Sequence, residues 1–238
     1  MAKERPGRAA AVASMKRGLV LVEGQTEERF VTECLAPYFL TKGLVLATTI
    51  VKTKRAVGGP HFKGGVLNYG QVRRDVGLLL RDTNAVLITT LLDYYALPKD
   101  FPGMGDRPAG SARNRIEHVE AAWAAAVEDT RFLPHLVLHE LEAWVYAAPS
   151  CLEPWMFDDD VNVIEAITAV AAEHGTPEDI DEGAQTAPSK RLLGAFAAYQ
   201  KTLHGPLALL AIGIDRIRAA CPHFARWLER LESICAAP

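Results

Sequence analysis

Two acids stand at the ends of apolar runs in this chain. Glu23 closes Leu19-Val-Leu-Val22, and Asp93 closes Ala85-Val-Leu-Ile-Thr-Thr-Leu-Leu92. Continuous apolar, partly β-branched runs of this length read as strands of a parallel sheet buried on both faces. An acid just past such a strand faces the crevice in which open α/β sheets bind ligands. Carboxylates there are the first candidates for chemistry. His139-Glu-Leu-Glu142 is a third candidate. If a helix starts near His139, then His139 and Glu142 point the same way, as two ligands or an acid–base pair would. Leu138, Leu141 and Val145 then form a stripe beside Glu142, and an acid there is costly unless paired, protonated or bound to a cation. Glu140 is a further ligand candidate.

Cations for a polyanion cluster in two places. The segment from Lys52 to Gly65 carries Lys52, Lys54, Arg55 and Lys63 among glycines and a proline, which reads as a basic loop suited to phosphate contact. A plain solvated loop is the alternative. Lys190 and Arg191 follow Pro188 in the first turn of an expected helix, where positive charge opposes the dipole unless it holds an anion. No GxxxxGK[ST] motif occurs, nor a GxGxxG after a strand, so those modes of nucleotide binding are not supported.

The elements that must position these groups follow from periodicity. After Glu23, Gly24 permits a tight reversal, Thr26 is placed to cap a helix, and Glu27 lies in its first turn. Phe30, Val31, Cys34 and Leu35 give that helix a buried face. Leu44–Val51 reads as a second strand. Asn68 caps a helix burying Val72 and Val76, and Ser111 caps one burying Ile116, Val119, Trp123 and Val127. Phe132 to Leu138 is a fourth strand. From Pro149 onward only helices are expected, at about 161–174, 188–203, 206–220 and 222–235, with Pro188, Pro206 and Pro222 in first turns. The expected division is a basic disordered tail over 1–16, an α/β domain over 17–148 and a helical segment over 149–238 packed on it.

The bulk numbers suit a soluble globular protein: 238 residues, 49% hydrophobic, 23% charged, net charge −3. That charge argues against a general nucleic-acid coat, but it is unevenly spread. Residues 1–81 hold 14 Lys or Arg against 6 Asp or Glu, and the remainder 12 against 23. A basic half permits a polyanion and an acidic half a basic partner, unless folding mixes the two. No apolar run resembles a signal peptide or a membrane span, which points to the cytoplasm. Cys34, Cys151, Cys221 and Cys235 are widely separated, so neither a zinc motif nor a disulfide framework is indicated. Cys221 and His223 lack two further ligands nearby and read as packing or capping residues.

Glu23 and Asp93 at two strand exits make the chain resemble the TOPRIM fold of type IA and II topoisomerases, DnaG-type primases and OLD-family nucleases. In that family a glutamate after the first strand and an Asp-x-Asp after the third bind Mg²⁺. Val22-Glu-Gly-Gln-Thr-Glu27 matches the first motif. Leu92-Asp-Tyr-Tyr95 matches only the first aspartate, because Tyr95 stands at the second. More closely, the chain resembles a bacterial TOPRIM-like family often encoded beside AAA- or ABC-type ATPases. Shared blocks include Asp93-Tyr-Tyr-Ala-Leu-Pro98, His139-Glu-Leu-Glu142, Pro177-Glu-Asp179, Ala187-Pro-Ser-Lys-Arg191 and Cys221-Pro-His-Phe224.

The resemblance implies a TOPRIM-like, Rossmann-like α/β fold with a largely parallel four-stranded sheet. It also implies a Mg²⁺-dependent (or Mn²⁺-dependent) nuclease, the effector of an ATPase-coupled phage-defence system. Its partners would be nucleic acid and the neighbouring ATPase. Glu23, Asp93, Glu140 and Glu142 would bind metal, and Glu23, Asp93, His139 and Glu142 would carry the chemistry. Gly24, Thr26, Glu27 and Tyr95 would support them, while Lys52, Lys54, Arg55, Lys63, Lys190 and Arg191 would hold the backbone phosphates. Two alternatives stay open: an inactive TOPRIM-like regulatory subunit, and metal-dependent phosphotransfer on a small substrate.

Overall fold

A computed structural model of the chain describes residues 15–51, 68–157, 160–180, 183 and 185–237. A parallel sheet forms its centre, with β1 (Lys16–Val22), β2 (Leu44–Ile50), β3 (Ala85–Asp93) and two short pieces, β4 (Phe132–Leu133) and β5 (Leu136–Val137). The order is β2-β1-β3-β4, and β5 also pairs with β3. The expected class is therefore the observed one: a parallel sheet flanked by helices.

Side-chain alternation splits the core into two layers. Val20, Val22, Leu87 and Leu91 face one cluster, and Leu19, Leu21, Ile88 and Leu92 face the other. The second layer is covered by α2 (Tyr69–Leu79) and α3 (Ala112–Val127), through Val72, Val76, Ile116, Val119 and Trp123. Asn68 and Ser111 cap these helices as the sequence predicts, accepting from the amides of Gln71 (3.0 Å) and Asn114 (3.1 Å).

Over the first layer lies one long helix, α1, built from Gln25–Phe30, a π-helical turn at Val31–Leu35, and Ala36–Leu40. The C-terminal helices join it: α4 (Val163–Ala172), α5 (Pro188–Ala195), α6 (Lys201–Ile212), α7 (Ile214–Ala220) and α8 (Pro222–Ala236). They contribute Ile167, Leu192, Leu209, Ile217, Phe224 and Trp227 to the same cluster as β1 and β3. Each such side chain, buried fully, stabilises the fold by about 1.5–3 kcal/mol. Among the described residues no helix is long and apolar enough to cross a membrane.

Four local expectations need correction. The fourth strand is broken, because Pro134 has no N–H to continue the ladder. Thr90 repairs the gap: its Oγ1 accepts from the His135 amide (3.0 Å) and donates to the His135 carbonyl (2.8 Å). The 188–203 helix ends at Ala195, and a new helix begins at Lys201. Pro206 consequently lies inside α6 rather than at its start. The carbonyl that Pro206 cannot satisfy, Thr202 O, accepts instead from the Arg29 guanidinium at 3.4 Å. Finally, Lys16 belongs to β1, not to a tail, and its ammonium donates to the Ile234 and Cys235 carbonyls at the end of α8. Residues 1–14 lie outside the described residues.

Candidate metal and phosphate centre

The two strand-exit acids come together as their spacing requires. β1 and β3 are adjacent, with Val22 opposite Leu91, so Glu23 and Asp93 leave neighbouring strands at the same end. Glu23 Oε2 accepts from the Asp93 backbone N–H at 3.1 Å. Burial pushes the Glu23 carboxyl up to about 7, the Asp93 amide opposes this, and Glu27 adds to it. Asp93 is buried and raised well above the usual range, by burial first and by the charge of Glu23 second. Its Oδ1 has no hydrogen-bond partner among the described residues.

Gly24, not Thr26, caps α1. Glu27 reaches back to accept the Gly24 amide at 2.9 Å, so Glu27 serves the helix start. Thr26 is buried in the first turn, and α6 crosses there closely. A Cβ on Gly205 would lie 3.9 Å from Thr26 Cγ2, 3.7 Å from Glu142 Oε1 and 3.1 Å from the Tyr199 hydroxyl. That close approach brings α6 to the acids.

The third group arrives differently from the expectation. No helix starts at His139: its φ is 66°, and a 3₁₀ segment begins only at Leu141 (Leu141–Ala147). His139, Glu140 and Glu142 are nevertheless all buried. Glu142 belongs to the centre, as one of the charges that raises Asp93. Burial lifts Glu142 itself to about 7 against the opposing pull of Lys201. The Lys201 ammonium sits 2.8 Å from Glu142 Oε2. Burial alone would lower that ammonium, but Glu142 and Asp93 outweigh it and raise it.

Glu140 turns toward α5. Its Oε2 accepts the Ser189 amide at 2.9 Å. The anion at that helix N-terminus is therefore the protein's own carboxylate, and Lys190 and Arg191 flank it. Lys190 is exposed, and Arg191 Nε donates to the Thr186 carbonyl at 2.8 Å. Tyr95 is half exposed, and its hydroxyl is pushed up to about 12 by burial and then by Glu140 and Asp93. The proposed phosphate contacts Lys52, Lys54, Arg55 and Lys63 lie outside the described residues.

Sequence reasoning missed Lys201. It lies far along the chain from the acids in no motif, and no local signal marks it. His223, read as packing, was missed as well. It meets Glu120 and His135, and these three are the residues whose donor atoms, one from each, all lie within 4.8 Å of one another among the described residues. Glu178, from the Pro177-Glu-Asp179 block, is structural: it accepts the amides of His223 (2.8 Å) and Phe224 (3.0 Å) at the start of α8.

A domain of unknown function, DUF4276, matches residues 22–232. The chain belongs to the DUF4276 family. The match spans every acid of the centre as well as Lys201. One similar solved structure is the C-terminal region of the OLD protein of Xanthomonas campestris pv. campestris. It is 19% identical, with a TM-score of 0.35, covering 90% of this chain and 98% of that one. No curated protein matches at a significant level.

Proposed function

We propose that this DUF4276 protein hydrolyses phosphodiester bonds of DNA or RNA with Mg²⁺ or Mn²⁺ held by Glu23, Asp93 and Glu142. The observation that carries this reading is the pairing of Glu23 and Asp93 at the ends of adjacent strands, with Asp93 Oδ1 buried and unpartnered among the described residues. Crowded buried carboxylates resist ionisation unless a cation joins them. The donor set is all oxygen, which fits a hard divalent ion. Such an ion, when bound, polarises a phosphate and activates water.

The chain's own groups supply the rest. Lys201 is positioned to hold a phosphate oxygen while it compensates the acids. Glu23 and Glu142, each pushed up to about 7 in the cation-free protein, give up their protons as the ion binds, so metal uptake strengthens as pH rises through about 7. Tyr95 stands where the TOPRIM pattern has a second aspartate, and Glu142 takes over that acid's part. His139 and Glu140 remain proposed contributors, Glu140 through the oxygen not bonded to Ser189. Lys190 and the 52–63 cations are proposed to track the nucleic-acid backbone.

The test is cleavage of single- and double-stranded DNA and RNA with Mg²⁺ or Mn²⁺, by wild type and by Glu23→Gln, Asp93→Asn and Lys201→Met. Each substitution is expected to cost about 10²–10³ in rate, the scale of losing one electrostatic partner in a dry site. Full activity in both acid variants would refute the assignment.

One observation favours a second reading. The Lys201–Glu142 ion pair neutralises one acid from within, as an inert binding subunit would need. That subunit would regulate an ATPase encoded beside it. The expected outcome is then no cleavage alone or with the ATPase, but an altered ATPase rate on co-purification. Cleavage gated by the ATPase would instead support a defence effector.

A further inference from the structure

A second cluster of titratable side chains shares no residue with the acidic centre. Glu120 projects from α3, His135 sits in the break between β4 and β5, and His223 lies in the first turn of α8. Glu120 Oε1 is 3.0 Å from His223 Nε2 and 3.6 Å from His135 Nδ1, and it accepts the Leu136 amide at 2.7 Å. The cluster borders a groove of about 320 Å³ between α3 and α8, rimmed by Glu117, Arg226 and Arg230.

The positions of these three groups are built rather than incidental. His135 is fixed through its backbone by Thr90. Its ring stacks on Trp227 (4.3 Å, 6°) and on His223 (4.9 Å, 22°). The closer and more nearly parallel stack on Trp227, with the backbone bonds to Thr90, clamps the His135 ring. Trp227 is anchored in turn, since its Nε1 donates to Thr89 Oγ1 at 2.9 Å. Glu178 holds the backbone from which His223 projects. His135 Nδ1 and His223 Nε2 are the ring nitrogens turned to Glu120, while the other nitrogen of each ring is buried away from it without a hydrogen-bond partner among the described residues.

We propose that Glu120, His135 and His223 form a second metal site, for a transition ion of the Zn²⁺ class, with a fourth position open to the groove. Two imidazoles and one carboxylate suit Zn²⁺, whereas Mg²⁺ prefers oxygen alone. Tetrahedral bonds of 2.0–2.2 Å put neighbouring donors roughly 3.4 Å apart. The Glu120 contacts at 3.0 and 3.6 Å bracket that spacing. Stacked imidazoles send their lone pairs side by side, so one ring tilts on loading. Clamped His135 stays in place, and His223 is the ring that turns. Water or an anionic ligand fills the fourth position; of the two rim cations Arg226 pairs with Glu117, and Arg230 favours an anion.

The test uses the whole 238-residue chain, stripped with chelator and then held in excess Mg²⁺ so that the acidic centre is saturated. Zn²⁺ is titrated against a chromophoric chelator, and Co²⁺ is added in parallel to read its ligand-field bands in the visible. Wild type is expected to take one Zn²⁺ per chain and to give a tetrahedral Co²⁺ spectrum. His223→Gln is expected to weaken Zn²⁺ by more than about tenfold, since even supporting residues of metal sites are worth 10–100-fold. It leaves the Glu178 bonds to the backbone intact. Glu120→Gln, on the partly exposed side, is the second variant should His223→Gln fail to fold. Asp93→Asn, which removes an acid of the other centre, is expected to leave the Zn²⁺ affinity unchanged. No stoichiometric Zn²⁺ in wild type, or equal affinity in the folded ligand variant, would overturn the site. Loss of Zn²⁺ on Asp93→Asn would do so as well.

Discussion

Replacing Glu23 by Gln is expected to stabilise the cation-free protein, and only at high pH. Glu23 has its carboxyl raised from 4.5 to about 7. In the unfolded chain it ionises at the ordinary value, so the folded state binds the extra proton between those limits. The favourable contribution is fully present below about pH 4.5 and is lost as pH rises through about 7. Above that, ionised Glu23 costs the folded state roughly 3 kcal/mol. Gln keeps an oxygen for the Asp93 amide and removes the charge, but its amide also loses water, at roughly 1–2 kcal/mol. The net gain at pH 8 is about 1–2 kcal/mol, or roughly 2–8 °C in Tm for a chain of this size. At pH 5 the wild-type carboxyl is protonated in the fold, and the gain disappears. The assay is thermal unfolding of both proteins in chelator at pH 5 and pH 8, repeated with Mg²⁺. Mg²⁺ should raise the wild-type Tm at pH 8 and leave the variant nearly unmoved. Equal destabilisation of the variant at both pH values would refute the reasoning, because Glu23 would then be a packing residue rather than a stored charge.

Thr90→Val is nearly isosteric but strips the buried His135 amide and carbonyl of their partner. The expected loss is about 2–4 kcal/mol by denaturant unfolding, and a loss below 1 kcal/mol would mean that β4 and β5 do not depend on this bridge. Gly205→Ala would place a methyl 3.1 Å from the Tyr199 hydroxyl and 3.7 Å from Glu142 Oε1. Helix propensity returns about 1 kcal/mol, so stability should hardly change while the proposed cleavage activity falls. Undiminished cleavage would place the reacting phosphate away from α6.

The acids were legible because a strand fixes them. A buried parallel strand announces itself as an apolar run, and the residue that ends the run must leave at the crevice. Glu23 and Asp93 needed nothing more than that geometry, and their adjacency followed from the sheet order. Glu142 was found for a different reason, as an acid beside an apolar stripe, and that reasoning survived although its helix did not. The chain at His139 takes a left-handed turn that no local pattern of β-branched or capping residues signals. Pro134 marked a break in the run from Phe132 to Leu138, which reads as one strand if the proline's missing N–H is passed over. Its repair by Thr90, however, depends on a neighbour 45 residues from His135.

Cations and imidazoles were harder because helices carry them in from elsewhere. Lys201 reaches Glu142 because α6 packs against α1 at Thr26, with Gly205 leaving room beside the Tyr199 hydroxyl. His223 reaches Glu120 across 103 residues. A packing or capping role was a sound reading of the short interval Cys221-Pro-His223, since metal motifs are recognised by ligands close in sequence. What the fold adds is opposite charge and nitrogen donors brought to groups that strands had already placed. The acidic centre therefore cannot be judged by its resemblance to the TOPRIM pattern alone. Tyr95 breaks that motif in sequence, but Glu142 supplies an acid and Lys201 a cation from segments the motif never includes.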